Sequence, residues 1–238
     1  MKGKLIVFLG PVGAGKSTHA MLLCRVLRRR WGKVFGKFTV KTHHFLGYVL
    51  EWLLVRIVFG GDSRANEYTP IRVLFENRPK LFSSVFKLWC IVDFLSTLFV
   101  FLVVVVFPLK LGYTVVIEEG LLAALADYVW LSRWADVSWR EKFVRIPLRV
   151  LLVLCLAYRP FLAVYLDADF NVLWGRWRLR DTPEERYDYV LMQKRLLKAL
   201  CRKLYCCHLV DTTSSTIAET AKQIIRLVVQ HSIRRQRC

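Results

Sequence analysis

The feature that most constrains the fold is a glycine-rich loop near the start of the chain. Residues 4–9 (KLIVFL) have the length and apolar character of a strand, and residues 19–27 are compatible with a helix. Between them lies Gly10-Pro11-Val12-Gly13-Ala14-Gly15-Lys16-Ser17-Thr18, which matches G-x-x-x-x-G-K-[ST], the phosphate-binding loop or Walker A motif. A chance glycine turn is the alternative, and it is disfavoured because strand, full motif and helix follow in order.

The residue types in this loop indicate what it would bind. Glycines let successive backbone N–H groups face one anion, and the N-terminus of the following helix adds partial positive charge. We expect Lys16 to reach the β- and γ-phosphates of ATP, Ser17 to offer its hydroxyl to Mg²⁺, and Thr18 to support the loop. The nucleotide-binding residues are therefore Gly10, Gly13, Ala14, Gly15, Lys16, Ser17 and Thr18.

Composition limits the organisation of the chain and its partners. A single domain over residues 1–238 is expected, because α/β domains commonly reach this length. The chain is 55% hydrophobic and carries a formal net charge of +19, which favours an anionic partner or surface. Nucleotides, nucleic acid and anionic lipid head groups all qualify, but nucleic acid is disfavoured because no aromatic and basic module of a known type is visible.

The cysteines and the N-terminal residues suggest a cellular compartment. Seven cysteines show no C-x-x-C spacing, and an odd number cannot pair completely within one chain, so we expect reduced and mostly buried thiols. The N-terminal apolar run is too short for a signal-peptide core and leads straight into the phosphate loop. We therefore expect a cytoplasmic protein, with membrane association left open by its apolar segments.

Residues 88–109 form an unusually apolar segment, in which only Asp93 is charged. A membrane span needs roughly 20 mostly apolar residues, so hydropathy alone would allow one. However, Lys110-Leu111-Gly112 leads at once into the strand-like run 113–118, and a single crossing would divide the sheet between two sides of a bilayer. We expect a buried crossover helix, and either a homodimer face or a helix lying on a membrane would account for the excess apolar surface.

Two adjacent acids end the strand at 113–118. An acidic residue at the carboxyl end of a neighbouring parallel strand is well placed to hold the water shell of Mg²⁺ or to orient the accepting group. Neighbouring side chains on a strand point to opposite faces, so only one acid should enter the site. We assign Glu118 to the site as a catalytic and metal-binding residue, and Glu119 to a helix cap or the surface.

Two further residues are candidates for substrate contact. His43 follows a predicted strand at 34–40, at the edge where α/β sheets hold their ligands, and a metal shared with His44 is disfavoured because adjacent side chains diverge. Arg72 lies in the first turn of a predicted helix, where an arginine gains nothing from the helix dipole. Arg72 could therefore contact an anion, and a surface arginine is equally compatible with the pattern.

Alternate arginines follow a predicted strand at 161–167. Arg176, Arg178 and Arg180 lie at the end of a helix that begins near Asp169, and a polar loop follows them. Such a pattern is typical of a closing lid whose guanidinium groups meet transferring phosphates, and a basic exposed helix end is the alternative. We place the lid at about residues 176–186 with Arg176 and Arg180 as catalytic residues, and we expect the basic tail at 231–238 to fray.

The order of these features resembles the thymidylate kinase branch of the P-loop nucleoside monophosphate kinases over nearly the whole chain. The matching features are the phosphate loop, Gly112 with its strand and acid, Leu166-Asp167 with the arginine-bearing lid, Val210-Asp211, and the last helix. The resemblance implies a three-layer α/β fold with a central parallel sheet flanked by helices. It also implies Mg²⁺- and ATP-dependent phosphoryl transfer to a small acceptor such as a nucleoside monophosphate.

The acceptor side departs from the family pattern. Glu119 stands where thymidylate kinases usually carry arginine, and Lys41-Thr42-His43-His44-Phe45 stands where they carry an Arg-Glu-Pro-Gly-Gly-like stretch. A dianionic monophosphate needs cations, which Arg72 could supply, and so the acceptor stays open. The alternatives are an ATP-binding membrane-surface or interaction protein with weak or no kinase activity, or a kinase for a lipid-linked acceptor.

Overall fold

The computed structural model describes residues 3–60, 70–179, 185–205 and 207–236. Within these residues one parallel sheet runs in the order β2-β3-β1-β4-β5. Its strands are β1 (Lys4–Leu9), β2 (Val34–Thr39), β3 (Thr114–Glu118), β4 (Leu162–Asp167) and β5 (Cys207–Asp211). Helices flank the sheet on both faces, so the predicted α/β architecture with a central parallel sheet is confirmed.

The helices carry the connections between the strands. They are α1 (Lys16–Trp31), α2 (Leu46–Phe59), α3 (Pro70–Asn77), α4 (Pro79–Phe101), α5 (Phe107–Lys110), α6 (Gly120–Trp134), α7 (Lys142–Ala157), α8 (Phe170–Arg178), α9 (Tyr187–Met192), α10 (Lys198–Leu204) and α11 (Ile217–Gln236). π-Helical turns at Leu102–Val106 and Gln193–Leu197 join α4 to α5 and α9 to α10.

The central strand β1 organises the core. Parallel sheets are covered on both faces, so their strands are continuously apolar, as β1 is from Leu5 to Leu9. Leu5 and Val7 pack into the cluster beneath α2 to α7, whereas Ile6 and Phe8 pack beneath α1, α8 and α11. Because β3 and β4 flank β1, the loop that follows β1 lies between the carboxyl ends of these two strands, where α/β sheets place their ligands.

The C-terminal helix is longer than expected. It begins with a capping box, in which the Glu219 N–H donates to Thr216 Oγ1 (3.2 Å) and the Thr216 N–H donates to the Glu219 carboxylate (2.9 Å). It then continues to Gln236, within the tail at 231–238, and fraying of this tail stays a prediction. The last two residues lie outside the described part of the chain.

One pair of cysteines corrects the expectation of reduced thiols. Cys201 on α10 and Cys207 at the start of β5 form a disulfide with their Cα atoms 5.6 Å apart. The tight connection from α10 to β5 brings them together, and their spacing in sequence carries no disulfide signature. Cys24, Cys90 and Cys155 lie outside this disulfide and are buried, in agreement with the expectation of buried cysteines.

The apolar segment forms one continuous helix, Pro79–Lys110, which is long and apolar enough to cross a membrane by length and composition. Its inner side is part of the core, where Phe82, Phe86 and Trp89 are fully buried. Its other side is exposed, so the expectation of a buried crossover helix holds for one side of the helix only. The helix ends three residues before β3, which pairs with β1 in the middle of the sheet.

Candidate functional site

The phosphate loop has a backbone that only glycine adopts easily. Gly10, Gly13 and Gly15 have φ angles of 138°, 86° and 91°. A Cβ atom at Gly10 would lie 2.1 Å from the carbonyl oxygen of Leu166, and one at Gly13 would lie 2.6 Å from the indole nitrogen of Trp177. The loop therefore needs these glycines, and it delivers the chain to the N-terminus of α1, whose first N–H groups have no acceptor within the helix.

Lys16 is the buried cation of this loop. Its ammonium donates hydrogen bonds to the carbonyl oxygens of Gly10 (2.8 Å) and Pro11 (2.9 Å), so the side chain folds back over the loop. The same group lies 3.2 Å from an oxygen of Glu119. A positive charge is thus held at the mouth of the loop, where it can attract an anion.

Ser17 and Glu118 meet at the edge of the loop. The Ser17 hydroxyl donates to Glu118 Oε2 over 2.5 Å, although the two residues are far apart in sequence. The described ranges contain no group of three or more His, Cys, Asp or Glu side chains that could hold a metal ion. One hydroxyl and one carboxylate nevertheless suit Mg²⁺, which is usually bound by one or two protein oxygens together with water and substrate phosphates.

Glu119 corrects the expectation that only one of the two acids enters the site. It has a φ of 71°, and this left-handed backbone ends the strand alternation, so that its side chain turns inward as well. Its carboxylate is 10% exposed and lies 3.2 Å from Lys16 Nζ and 3.1 Å from Lys41 Nζ. Burial alone would raise the pKa of Glu119, but attraction to Lys41 and Lys16 outweighs burial and lowers the pKa to about 2.

A pocket that is partly open to solvent adjoins the loop. Charged side chains share its wall with aromatic and aliphatic ones, an arrangement that suits a small ligand with a planar part and an anionic part. The lining residues are Val12, Lys41, His43, Ile71, Arg72, Phe75, Asp127, Trp130, Leu131, Glu185, Arg186 and Tyr189. The structure therefore brings His43 and Arg72, the two substrate residues predicted from sequence, to one cavity beside the loop.

His43 lines this pocket, and acidic side chains contact both its ring and its backbone. Its Nδ1 lies 2.6 Å from Glu51 Oε1, and its backbone N–H donates to Asp93 Oδ1 over 2.7 Å. Burial would lower the pKa of His43, but the negative charges of Glu51, Asp93 and Asp127 outweigh burial and raise the pKa to about 9. His44 turns elsewhere and accepts the Lys41 N–H at Nε2 over 3.2 Å, so the two rings do not share a partner.

Arg72 faces two carboxylates at the pocket wall. Its Nε lies 2.9 Å from Glu76 Oε1, and its Nη1 lies 3.8 Å from Glu185 Oε2. Burial raises the pKa of Glu185, and Arg72 opposes this increase. The arginine is thus balanced by acids on its own side of the pocket.

Two functional candidates escaped the sequence analysis, Lys41 and Asp127. Asp127 is buried in the apolar helix α6, where it accepts hydrogen bonds from Thr42 Oγ1 and Tyr189 OH, both over 2.8 Å. Burial raises the pKa of Asp127, while Lys41 and His43 act in the opposite direction. A lone acid in an apolar helix is a usable sequence signal, and so is a lysine directly after a strand.

Arg176 lies on α8 and contacts the phosphate loop. Its Nη1 donates to the Gly13 carbonyl (3.3 Å) and to Thr212 Oγ1 (3.1 Å), and its Nη2 donates to the Thr212 carbonyl (2.6 Å). The arginine thus joins the loop to the turn after β5. Arg180 and residues 181–184 of the expected lid lie outside the described residues.

Known proteins resemble this chain in fold and have little sequence identity to it. No family model and no curated protein matches the chain. Among solved structures, the thymidylate kinase of Candida albicans is 17% identical, with a TM-score of 0.53 over 97% of this chain and 93% of that one. The thymidylate kinase of Ehrlichia chaffeensis is 14% identical, with a TM-score of 0.52 over 96% and 99% of the two chains.

A nucleoside kinase gives a similar match. The deoxyadenosine kinase of M. mycoides, solved with bound dCTP, is 13% identical, with a TM-score of 0.55 over 95% of this chain and 99% of that one. All three matches extend over almost the full length of both chains. Because the sequence identities are low, the matches show a shared fold and nothing more. The chain therefore has the same fold as these two thymidylate kinases and this deoxyadenosine kinase.

Proposed function

We propose that this protein transfers the γ-phosphoryl group of Mg²⁺-bound ATP to a small acceptor, most simply a nucleoside monophosphate. One observation carries the proposal: the ion pairs that run from Lys16 through Glu119 to Lys41 connect the phosphate loop to the adjoining pocket. A donor phosphate on the loop and an acceptor in the pocket would therefore lie on either side of one buried carboxylate. Holding two reactants next to each other is a large part of catalysis by kinases.

On the donor side, the loop N–H groups and Lys16 would hold the β- and γ-phosphates. Ser17 and Glu118 would hold Mg²⁺, which when bound neutralises phosphate charge. Lys16 would exchange its contacts with loop carbonyls for contacts with phosphate oxygens. Arg176 and Arg180, which we assign to the lid, would stabilise negative charge on the transferring group. We treat the whole chain as one domain.

On the acceptor side, Lys41 would replace the arginine that thymidylate kinases carry where this chain has Glu119. Lys41 is held by Glu119 and lines the pocket, so it can present positive charge to an acceptor phosphate. Arg72, which lines the same pocket, would add charge, and Phe75 and Trp130 would pack against a planar base. His43 would act mainly by fixing the wall, since its Nδ1 is engaged by Glu51.

The similar structures agree with this class of acceptor. Two of them are thymidylate kinases and the third is a deoxyadenosine kinase, so a nucleoside and a nucleoside monophosphate both belong in the test. We choose the monophosphate because Lys41 and Arg72 place two cations on the pocket wall. The use of ATP fits our expectation of a cytoplasmic protein.

The test is a product screen with purified full-length protein. Mg²⁺ and ATP would be incubated with a panel of nucleosides and nucleoside monophosphates, and products would be separated by chromatography and identified by mass. We expect at least one monophosphate to be converted to its diphosphate, and the Lys16→Ala variant to convert it roughly 10³-fold more slowly. Normal ATP binding with no product from any acceptor would instead favour an ATP-binding protein without kinase activity.

A further inference from the structure

Three neighbouring helical segments expose apolar side chains on the side of the molecule remote from α1 and α11. We call this surface the apolar face, and it belongs to α2, to the long helix from α4 to α5, and to α7. Its exposed residues on α4 to α5 are Leu88, Ile91, Leu95, Phe99, Leu102, Val103 and Phe107. Those on α2 and α7 are Leu46, Tyr48, Val49, Leu53, Ile57, Phe143, Ile146, Leu152, Val153 and Leu156.

The long helix has the reverse of the usual surface pattern. In residues 88–109 the polar side chains are Asp93, Ser96 and Thr97, and all three are buried. Every exposed side chain in the same stretch is aliphatic or aromatic. A surface helix in water shows polar residues outward, so this helix is arranged for apolar surroundings on its outer side.

Contacts between the helices make this surface continuous. Phe45, which precedes α2, stacks on Phe99 of α4 with ring centroids 6.2 Å apart. At the other end, the ammonium of Lys87 lies 5.9 Å from the ring centroid of Phe143, the second residue of α7. These two contacts, and the packing of α2 and α7 against α4, place the exposed side chains of the three segments next to one another.

The exposed charges on these helices are of one sign. Their two acidic residues, Glu51 and Asp93, are buried, so the exposed charged residues are all cationic. These exposed cations are Arg56, Lys80, Lys87, Lys110, Lys142 and Arg149. Glu141, just before α7, pairs with Lys87 over 3.0 Å. An apolar surface with exposed cations lacks acidic groups to pair with when it meets a second copy of itself, whereas anionic head groups complement it.

We propose that the apolar face binds the surface of a bilayer that contains anionic lipid. The helices would lie in the interface and not cross it, because the inner side of the long helix packs on the fold and its end leads directly to β3. This inference goes beyond phosphoryl transfer, and neither an acceptor nor ATP enters it.

Vesicle flotation tests the proposal with the full chain. Purified protein would be mixed with vesicles of phosphatidylcholine alone or of phosphatidylcholine with phosphatidylglycerol, and the floated fraction would be measured at low and high salt. We expect flotation with the anionic vesicles that weakens as salt rises. A Leu95→Gln/Phe99→Gln variant should show a partition coefficient lower by about tenfold or more, since two large apolar side chains are lost from the contact.

A matched control lies on the opposite side of the sheet. Ile217 and Ile233 on α11 are also exposed, and an Ile217→Gln/Ile233→Gln variant should float like the wild type. Circular dichroism would confirm that each variant is folded, and Ile57→Gln on α2 is a second, single-site variant if the first does not fold. Wild-type protein that stays with the soluble fraction under every condition would overturn the proposal. So would a dimer in sedimentation that the Leu95 and Phe99 changes dissociate, without flotation, because a second copy would then cover the face.

Discussion

The phosphate loop and the adjoining pocket hold their charges by different means. In the loop, backbone groups and one lysine supply the positive field, and all of them lie within residues 10–17. In the pocket, charged side chains come from the loop after β2, from α3, from α6 and from the segment before α9, and cations alternate with acids. The electrostatic field of backbone dipoles is fixed by the fold. The field of the pocket depends instead on which of its cationic and acidic side chains neutralise each other.

Glu119 is the point at which the two regions meet. Its two oxygens contact different lysines, Lys16 in the loop and Lys41 in the pocket, so one carboxylate sets the charge balance of both. Under the proposed function, an acid could serve where thymidylate kinases carry arginine, because this acid holds Lys41, which lines the pocket. We therefore expect substitutions in the loop to lower activity with every acceptor alike. Substitutions in the pocket should instead change the kinetics for the acceptor and leave those for ATP nearly unchanged.

The largest effect should come from Lys16→Ala. Loss of the charge that contacts the transferring phosphates should lower kcat by roughly 10³-fold, whichever acceptor is used. Steady-state kinetics on two acceptors would measure this loss, with the exposed Lys33→Ala as a control expected to behave like the wild type. If the loss differed strongly between acceptors, Lys16 would belong to acceptor recognition and the division between the two regions would be wrong.

The next effect concerns stability in acid and isolates Glu119. Its pKa falls from 4.5 to about 2 on folding, which corresponds to about 3 kcal/mol of stabilisation. Because the pKa is lowered in the folded state, this stabilisation is complete above the unfolded value and is lost as pH falls through about 2. Denaturant unfolding of wild type and Glu119→Gln should therefore differ most near neutral pH and converge in acid.

The control for Glu119 is an exposed ion pair of the same type. Glu141 pairs with Lys87 at 3.0 Å, with side chains 39% and 47% exposed. Glu141→Gln should cost less than about 1 kcal/mol at any pH, since exposed pairs are screened by solvent. A Glu119→Gln difference that stays constant from neutral to acidic pH would show that shape, and not charge, accounts for the contribution of Glu119.

A smaller and more selective effect is expected from Lys41→Met. Removing a charged hydrogen-bond donor from the pocket should lower kcat/KM for a monophosphate acceptor by about 10- to 100-fold. The KM for ATP should stay within about twofold of wild type, because Lys41 lines the pocket and pairs with the Glu119 oxygen that Lys16 does not contact. Lys41→Arg keeps the charge and should recover much of the lost efficiency. Equal changes in the two KM values would indicate that Lys41 acts through Lys16.

The loop was predictable from sequence because its information is local. Spacing of glycines, one lysine and a flanking strand and helix specify the backbone, and the structure has this geometry at Gly10, Gly13 and Gly15. The parallel sheet was predictable for a similar reason, since its three inner strands, β1, β3 and β4, are short and mostly apolar runs. The apolar segment at 88–109 was predictable as a helix, but which of its sides would be exposed depends on neighbours that are distant in sequence.

The pocket was less predictable because its pairs join distant positions. Alternation along a strand placed Glu119 outside the site, yet one positive φ angle reverses that direction. Lys41 and Asp127 are candidates because of their contacts with residues distant in sequence. Lys41 pairs with Glu119, and Asp127 accepts hydrogen bonds from Thr42 and Tyr189. Spacing identifies a local motif, whereas a balance of charges across a cavity requires the fold.

The smallest effect should follow from Arg72→Gln, which decides between two cations on the pocket wall. Arg72 faces Glu76 and Glu185, whereas Lys41 faces a carboxylate that it shares with Lys16. The field that Arg72 projects into the pocket is therefore the more fully balanced one, and its loss should lower kcat/KM for the acceptor only about threefold. Kinetics of both single variants and of the double variant would measure this difference directly. A loss for Arg72→Gln as large as that for Lys41→Met would mean that an acceptor displaces Glu76 or Glu185 from the arginine, and Arg72 would then be the main anion contact of the pocket.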